Sequence, residues 1–347
     1  MSIVTLRRVV VVAVVSAATV GHAADPAKFT TRAELVMGTV ARITIPDGAT
    51  NDAFESGFAA LRRVDAAMSL YRPESTLVRL NAYAAAHAER VDDELFTLLA
   101  RAVEVSRLTD GAFDVTILPL LRAWGAYPGL DYVAAGRVDA VGWSGLELDR
   151  DARTVAFRRD GMGIDLGGIA KGFALDRARI ALAAAGVRRA TVDLGGNLAL
   201  LGEGPDGGWR IAVRDAESAE DTLGVLTLAA GDTVSTSGNY ARDFAAEGWR
   251  APSHVYDPRT GKPVLGDLAV TVWTPDGTAA DALSTAFLVL GPEAARSVLA
   301  RFPDVGVLFV EGRGIDRRLT FAGRPPLGFA PSRESERHAS ANPTENR

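Results

Sequence analysis

Gly163-Ile164-Asp165-Leu166-Gly167-Gly168-Ile169-Ala170-Lys171-Gly172-Phe173-Ala174 runs from a short apolar, strand-like start through paired glycines directly into a long helical pattern. Glycines let backbone N–H groups approach a ligand closely, and a helix start offers unpaired donors and a positive dipole end, a combination that suits phosphate. On this stretch alone a second reading stays open, a strand-to-helix turn that needs only the conformational freedom of glycine. Both readings place a strand ahead of an alanine-rich helix over 168–186, whose composition has high helical propensity.

Outside this junction the periodicity alternates between strands and helices without a long linker. Residues 35–45 alternate as a strand, 51–69 carry helical spacing through Phe54, Phe58, Leu61, Val64 and Met68, and 92–108 place Leu95, Leu98, Leu99, Ala102 and Val105 on one side. Strands follow at 191–194, 197–202, 209–214, 223–228 and 233–236, then helices at 279–290 and 292–301. A last strand pair, 305–311 and 317–322, turns at Gly312-Arg313-Gly314. Runs of strands with helices interspersed predict an α+β fold. Gly202-Glu203-Gly204-Pro205-Asp206-Gly207 has the spacing of a dinucleotide fingerprint, but a strand pattern follows it and Pro205 interrupts it, so it reads as a hairpin loop. Asp-Leu-Gly-Gly occurs at 165–168 and again at 193–196, either as two related half-units around one site or as convergent turn chemistry.

Composition sets limits on the chemistry. The 347 residues contain 48% apolar side chains, enough for an ample core, and no cysteine. Disulfides, thiolate nucleophiles, cysteine-ligated metals and a lipid anchor on an N-terminal cysteine are therefore excluded. Net charge is −5, or −7 without residues 1–24, which hold Arg7, Arg8 and no acids, so there is no basic footprint for nucleic acid. Residues 1–24 join Arg7-Arg8, an apolar run from Val9 to Val20 and the small-residue exit Gly21-His22-Ala23-Ala24, the pattern of a secretory signal peptide. The run is short for a membrane span. The expected location is periplasmic, with no integral span after cleavage; a retained anchor is the other reading. Residues 25–330 are expected to form one domain, and the polar stretch 331–347 a disordered tail.

Thr278-Ala279-Ala280-Asp281-Ala282-Leu283-Ser284-Thr285 opens another helical pattern, in which Asp281 and Thr285 share one face. A carboxylate beside a hydroxyl is a hard oxygen pair of the kind Mg²⁺ takes while keeping waters and phosphate oxygens in its shell. The alternative is a capping box, with Thr278 as N-cap and Asp281 three residues on. Among four histidines, His22 lies in the leader, His338 in the tail and His87 in a polar alanine-rich segment, which leaves His254, three residues before Asp257-Pro258. A neutral imidazole there suits accepting a proton near pH 7, or bridging two loops structurally.

These stretches belong to a longer ordered series: Met37-Gly38-Thr39, Met68-Ser69-Leu70-Tyr71-Arg72-Pro73, Gly111-Ala112-Phe113-Asp114-Val115-Thr116, Asp165 to Ala174, Asp193-Leu194-Gly195-Gly196-Asn197, Ser235-Thr236-Ser237-Gly238-Asn239-Tyr240, His254 through Gly261, and Ala280-Asp281-Ala282. The series resembles the FAD:protein FMN transferases of the ApbE type over residues from about 35 to 322. The resemblance implies a single large T-fold-like domain with mixed or antiparallel sheets flanked by helices, and an FAD cleft between two lobes. It also implies Mg²⁺-dependent transfer of the FMN part of FAD to a threonine hydroxyl of a target protein, with AMP released. Such a reaction needs charge neutralisation on phosphate oxygens, an in-line nucleophile and a destination for the proton.

By the same resemblance Asp281, the Thr285 hydroxyl and the main-chain carbonyl of Ala170 hold Mg²⁺, Lys171 offsets phosphate charge, and His254 is base or orienting group. Flavin contacts fall to Met37, Tyr71, Ala112, Phe113 and Asp114, with Gly167, Phe173, Tyr256 and Ser284 further out. Met37 and Tyr71 offer surface to a ring system, and Asp114 accepts from a purine amine or ribose hydroxyl; Phe113 reads equally as core. Tyr256 departs from the family pattern, where a smaller aliphatic residue is frequent. The implied partner is an acceptor protein with a Ser/Thr-Gly-Ala-Thr-like segment. An FAD pyrophosphatase and a non-catalytic FAD-binding protein are the competing readings.

Overall fold

A computed structural model describes residues 29–46, 48–127, 138–215, 221–239 and 253–332. The expected signal peptide at 1–24 and the stretch from 333 onward lie outside the described residues. The first half runs through β1 (Phe29–Val36), β2 (Thr39–Pro46), α1 (Asn51–Met68), α2 (Thr76–Tyr83), β3 (Glu89–Arg90), α3 (Asp93–Leu108), α4 (Leu118–Ala123), β4 (Leu146–Asp149), β5 (Thr154–Phe157) and α5 (Ala170–Ala184). The second runs through β6 (Ala190–Leu194), β7 (Asn197–Leu201), β8 (Trp209–Arg214), β9 (Thr222–Leu228), β10 (Thr233–Gly238), β11 (Tyr256–Asp257), β12 (Lys262–Pro263), β13 (Leu268–Thr274), α6 (Gly277–Leu299), β14 (Gly306–Glu311), β15 (Arg318–Gly323) and β16 (Gly328–Pro331).

Eight strands form the central sheet in the order β1-β2-β6-β7-β10-β13-β14-β15, and each neighbouring pair is antiparallel. Period-two alternation divides its side chains between two cores. Val270 and Val272 of β13 and Val307 and Phe309 of β14 join the main core with α1, α3, α5 and α6. Trp273, Leu308 and Val310 join a second core, closed by Trp209, Ile211, Leu226 and Leu228 from the three-stranded sheet β16-β9-β8. The fold is α+β, with helices against one face of the sheet and a small sheet against the other.

Several local expectations change. The strand expected at 35–45 is a hairpin, because Met37 and Gly38 both take positive φ (52° and 71°) and reverse the chain. In the sequence Leu35, Met37, Ala41, Ile43 and Ile45 share one parity, but Val36 is buried and Leu35 is exposed while Ala41, Ile43 and Ile45 are buried, so the phase changes at a turn that the apolar pattern does not mark. Residues 163–166 belong to no sheet. The backbone groups of Ile164 are satisfied by Asn81, whose Nδ2 donates to Ile164 O at 2.9 Å and whose Oδ1 accepts from Ile164 N at 2.7 Å, and Asp165 N donates to Val115 O at 2.8 Å. α6 is broken at Gly291 (φ 73°, ψ 169°), ahead of Pro292, where two helices were expected to meet. Pro331, the first residue of the expected tail, pairs with Gly224 in β16.

Candidate active site

The start of α5 packs against the start of α6 at backbone distance. A Cβ on Gly172 would lie 2.0 Å from Gly277 O, and one on Gly277 would lie 2.8 Å from Asp176 Oδ1, so both positions need glycine. The first turn of α6 is held from two sides. Asp276 Oδ1 accepts from Ala279 N at 2.9 Å. Asp176 of α5 accepts from Gly277 N at 3.0 Å and from Thr278 N and Oγ1, each at 2.8 Å. The N-cap is therefore Asp276, not Thr278. Asp281 stands in the second turn and does not cap α6, which removes the capping-box alternative; it accepts instead from a first-turn N–H of α5, whose own N-cap residue Ile169 offers no side-chain bond.

The Asp281 carboxylate is 4% exposed. Its Oδ2 accepts from Gly172 N at 2.9 Å and its Oδ1 from Asn197 Nδ2 at 2.7 Å. Lys171 Nζ lies 3.9 Å from Oδ1 and donates to Gly167 O at 3.2 Å. One turn along α6, Thr285 Oγ1 lies 3.4 Å from Ser237 Oγ and 3.3 Å from where a Gly168 Cβ would be. Gly167, Lys171, Asp281, Ser284 and Thr285 thus come together, with Ala170 the first residue of α5 beside Lys171. Each Asp281 oxygen keeps a lone pair after its one hydrogen bond, and Thr285 adds a neutral hydroxyl. This donor set fits a hard cation such as Mg²⁺. Among the described residues there is no group of three or more His, Cys, Asp or Glu side chains able to hold a metal. A cation here would rest on a single carboxylate, with neutral oxygens completing its shell.

The glycine junction extends this cluster. Asp165 Oδ1 accepts from Gly167 N at 2.7 Å, and its Oδ2 accepts from the Tyr127 hydroxyl. Burial pushes the Asp165 carboxyl above its ordinary value against the opposing Tyr127, Gly167 and Lys171 contributions. Burial, then the charge of Asp165, raises the Tyr127 phenol well above its ordinary value. Tyr71, 67% exposed, meets the Tyr127 ring edge-on at 5.8 Å. A line of contacts therefore runs from Tyr71 through Tyr127, Asp165, Gly167 and Lys171 to Asp281.

The second Asp-Leu-Gly-Gly is built differently. Gly195 and Gly196 take positive φ (62° and 95°) in a two-residue hairpin turn between β6 and β7, with Leu194 opposite Asn197. Gly167 and Gly168 lead instead into a helix. The repeat is convergent turn chemistry, yet its second copy still delivers Asn197 to the site.

The other expected contacts lie around this cluster. Ala112, Phe113 and Phe173 are buried in the main core, and Met37 is half-buried against it. Phe113 backs the junction, with Cε2 3.3 Å from a Gly168 Cβ position. Asp114 Oδ1 accepts from Thr116 N and Oγ1 at 2.8 and 2.7 Å, and Oδ2 from Trp143 N at 2.8 Å, so both oxygens are engaged internally. Tyr256 is 1% exposed and tilts against Trp124 at 5.5 Å. His254, half-buried, sits between Ser253, whose hydroxyl donates to Asn239 Oδ1 at 2.9 Å, and Val255. Asn239 lies two residues beyond Ser237, so the histidine loop is tied to the strand that reaches Thr285. Asn197, Ser237 and Gly172 were assigned no role from sequence. The signal was their place inside the quoted stretches.

The sequence profile of the ApbE family matches residues 37–309. A FAD:protein FMN transferase from Treponema pallidum (strain Nichols) is 33% identical over 305 residues, covering 80% of this chain and 83% of that protein. The flavinyl transferase ApbE of Pseudomonas stutzeri, solved in apo form, superposes with a TM-score of 0.71 at 30% identity, covering 85% of this chain and 94% of the other. The flavin transferase ApbE from Vibrio cholerae superposes with a TM-score of 0.72 at 26% identity, covering 90% and 99%.

Proposed function

Because this chain belongs to the ApbE family, we propose that it is a FAD:protein FMN transferase, moving the FMN part of FAD onto a threonine hydroxyl of an acceptor protein and releasing AMP. The observation that carries the reading is Asp281, a carboxylate buried at two helix starts and aimed by Gly172 and Asn197. A buried carboxylate whose oxygens each keep a lone pair beside Thr285 is suited to a cation.

The acceptor oxygen forms a bond to the FMN-side phosphorus as the bond from that phosphorus to the AMP oxygen breaks, and His254 takes the hydroxyl proton. Lys171 brings positive charge to the phosphate at the start of α5, where the helix dipole adds to it. Asp281, Thr285 and the Ala170 carbonyl would hold Mg²⁺, which supplies charge neutralisation on the phosphate oxygens. Tyr71 offers an exposed aromatic face to the flavin. The leader-like residues 1–24 support a periplasmic location, and the acceptor is expected to carry a Ser/Thr-Gly-Ala-Thr-like segment.

The test is mass spectrometry of such an acceptor incubated with the protein, FAD and Mg²⁺, with EDTA and His254→Ala controls. A mass gain of FMN on threonine that EDTA abolishes supports the proposal. Free FMN and AMP without an adduct would make the protein a pyrophosphatase, and intact FAD would make it a binding protein.

A further inference from the structure

Ser237 stands at the end of β10, its Oγ 2.8 Å from Ser284 Oγ and 3.4 Å from Thr285 Oγ1. Ser284 Oγ donates at 2.8 Å to the main-chain carbonyl of Asp281. A hydroxyl has one proton and a carbonyl none, so the direction of the whole relay is determined. The Ser284 proton is committed to the carbonyl. The contact between Ser237 and Ser284 is therefore made with the proton of Ser237. With that proton engaged, Ser237 Oγ faces Thr285 only as an acceptor, and the Thr285 proton is drawn toward it. The contact is long for a hydroxyl pair, and with the two shorter bonds made the one direction left to it is donation from Thr285 to Ser237. Thr285 then keeps its lone pairs for the side where Gly168, lacking a Cβ, leaves room beside Oγ1.

We propose that Ser237 is a positioning residue: it holds the Thr285 proton away so that the hydroxyl presents an acceptor oxygen to a divalent cation shared with Asp281. The inference rests on the cation reading given above. A freely turning threonine hydroxyl would present its proton to the cation part of the time, and an outer partner that removes this freedom strengthens the ligand. Asn197 does the corresponding work for the carboxylate, so each of the two side-chain donors has its own orienting partner. Those partners come from neighbouring strands of the central sheet, β7 and β10.

The experiment is titration of the purified chain with Mn²⁺ read by the electron paramagnetic resonance signal of the free ion, in wild type, Ser237→Ala, Ser237→Thr, Ser284→Ala and Asp281→Ala. Ser237→Ala is expected to raise the Mn²⁺ dissociation constant about tenfold, with Ser237→Thr restoring it. Ser284→Ala keeps Ser237 but frees its proton to turn toward Thr285, and is expected to weaken Mn²⁺ as well. Urea midpoints of the metal-free proteins should stay close to wild type. Wild-type affinity in Ser237→Ala, or weakening that Ser237→Thr does not relieve, overturns the inference while leaving the cation site standing, provided Asp281→Ala has lost Mn²⁺. If Asp281→Ala binds as wild type does, the cation reading falls and this inference falls with it.

Discussion

The main-chain N–H of Gly172 donates to Asp281 Oδ2 at 2.9 Å across the contact between α5 and α6. A Cβ on Gly172 would lie 2.7 Å from Asp281 Cβ as well as 2.0 Å from Gly277 O. Two of these atoms belong to helix backbone or stem and have no flexible end to swing aside. Gly172→Ala must part the helices and is expected to cost about 2–3 kcal/mol of stability, as overpacked sites do. Urea denaturation measures it, and an unchanged midpoint would mean the helices tolerate more separation than their contact suggests.

Asp281→Asn removes the charge and also one acceptor. Both oxygens of Asp281 face donors, Gly172 N and Asn197 Nδ2, so an amide can satisfy one and must turn its own NH₂ toward the other. A stability loss of about 1–3 kcal/mol is expected from that mismatch, together with loss of Mg²⁺-dependent transfer. Isothermal titration with Mg²⁺ alongside denaturation separates the two effects. Retained Mg²⁺ binding would place the cation elsewhere.

Asp165 carries a pH signature of defined sign. Burial holds its native carboxyl above the ordinary 3.8, with Tyr127, Gly167 and Lys171 opposing. Between 3.8 and the raised value the native state keeps a proton that the unfolded chain has released. The stability contributed by this group therefore falls as pH rises through that window and is level above it. Asp165→Asn still accepts from Gly167 N and donates to the Tyr127 oxygen. Its unfolding free energy relative to wild type should rise with pH across the window and then flatten. Urea melts at a series of pH values test this, and a difference that falls with pH would contradict the raised native value.

Lys171 has two separable effects. Its Nζ lies 3.9 Å from Asp281 Oδ1, where it competes with any cation bound there. Lys171→Gln is expected to tighten Mn²⁺ binding while slowing transfer on the order of 100-fold, the scale for losing one donor to a developing phosphate or oxyanion charge. Turnover at saturating Mn²⁺ and a direct Mn²⁺ titration report the two effects independently. Weaker Mn²⁺ binding would show that the lysine orders Asp281 and does not rival the cation.

Legibility in the sequence followed the length of the periodic signal. α1, α3 and α5 each place several apolar residues on one face, and all three appear within two residues of the expected bounds. β6 to β10 were marked by the turn residues between them. The hairpin at Met37-Gly38 was not, because Leu35 and Met37 share the sequence parity of Ala41, Ile43 and Ile45 although Leu35 is exposed. The two-residue strands β3, β11 and β12 are too short to show a period. Within the site, Asp281, Thr285 and Lys171 stood out in their own stretches. Their partners did not: Asn197 lies 84 residues from Asp281, Gly172 lies 109, and Ser237 lies 47 from Ser284. Local spacing carries no record of contacts made at that range; the pairing order of the sheet and the packing of α5 on α6 bring them together.

The two-glycine turn between β6 and β7 also limits how this sequence can diverge. Leu194 pairs with Asn197 across Gly195 and Gly196, so one inserted residue would carry the Asn197 amide off Asp281. The connection at the far end of β7, from Gly202 to Gly208, bears no residue of the site. In lineages descending from this chain a change of length in that loop leaves the site in place, while the turn at 195–196 admits neither a gain nor a loss without forfeiting the orientation of the carboxylate.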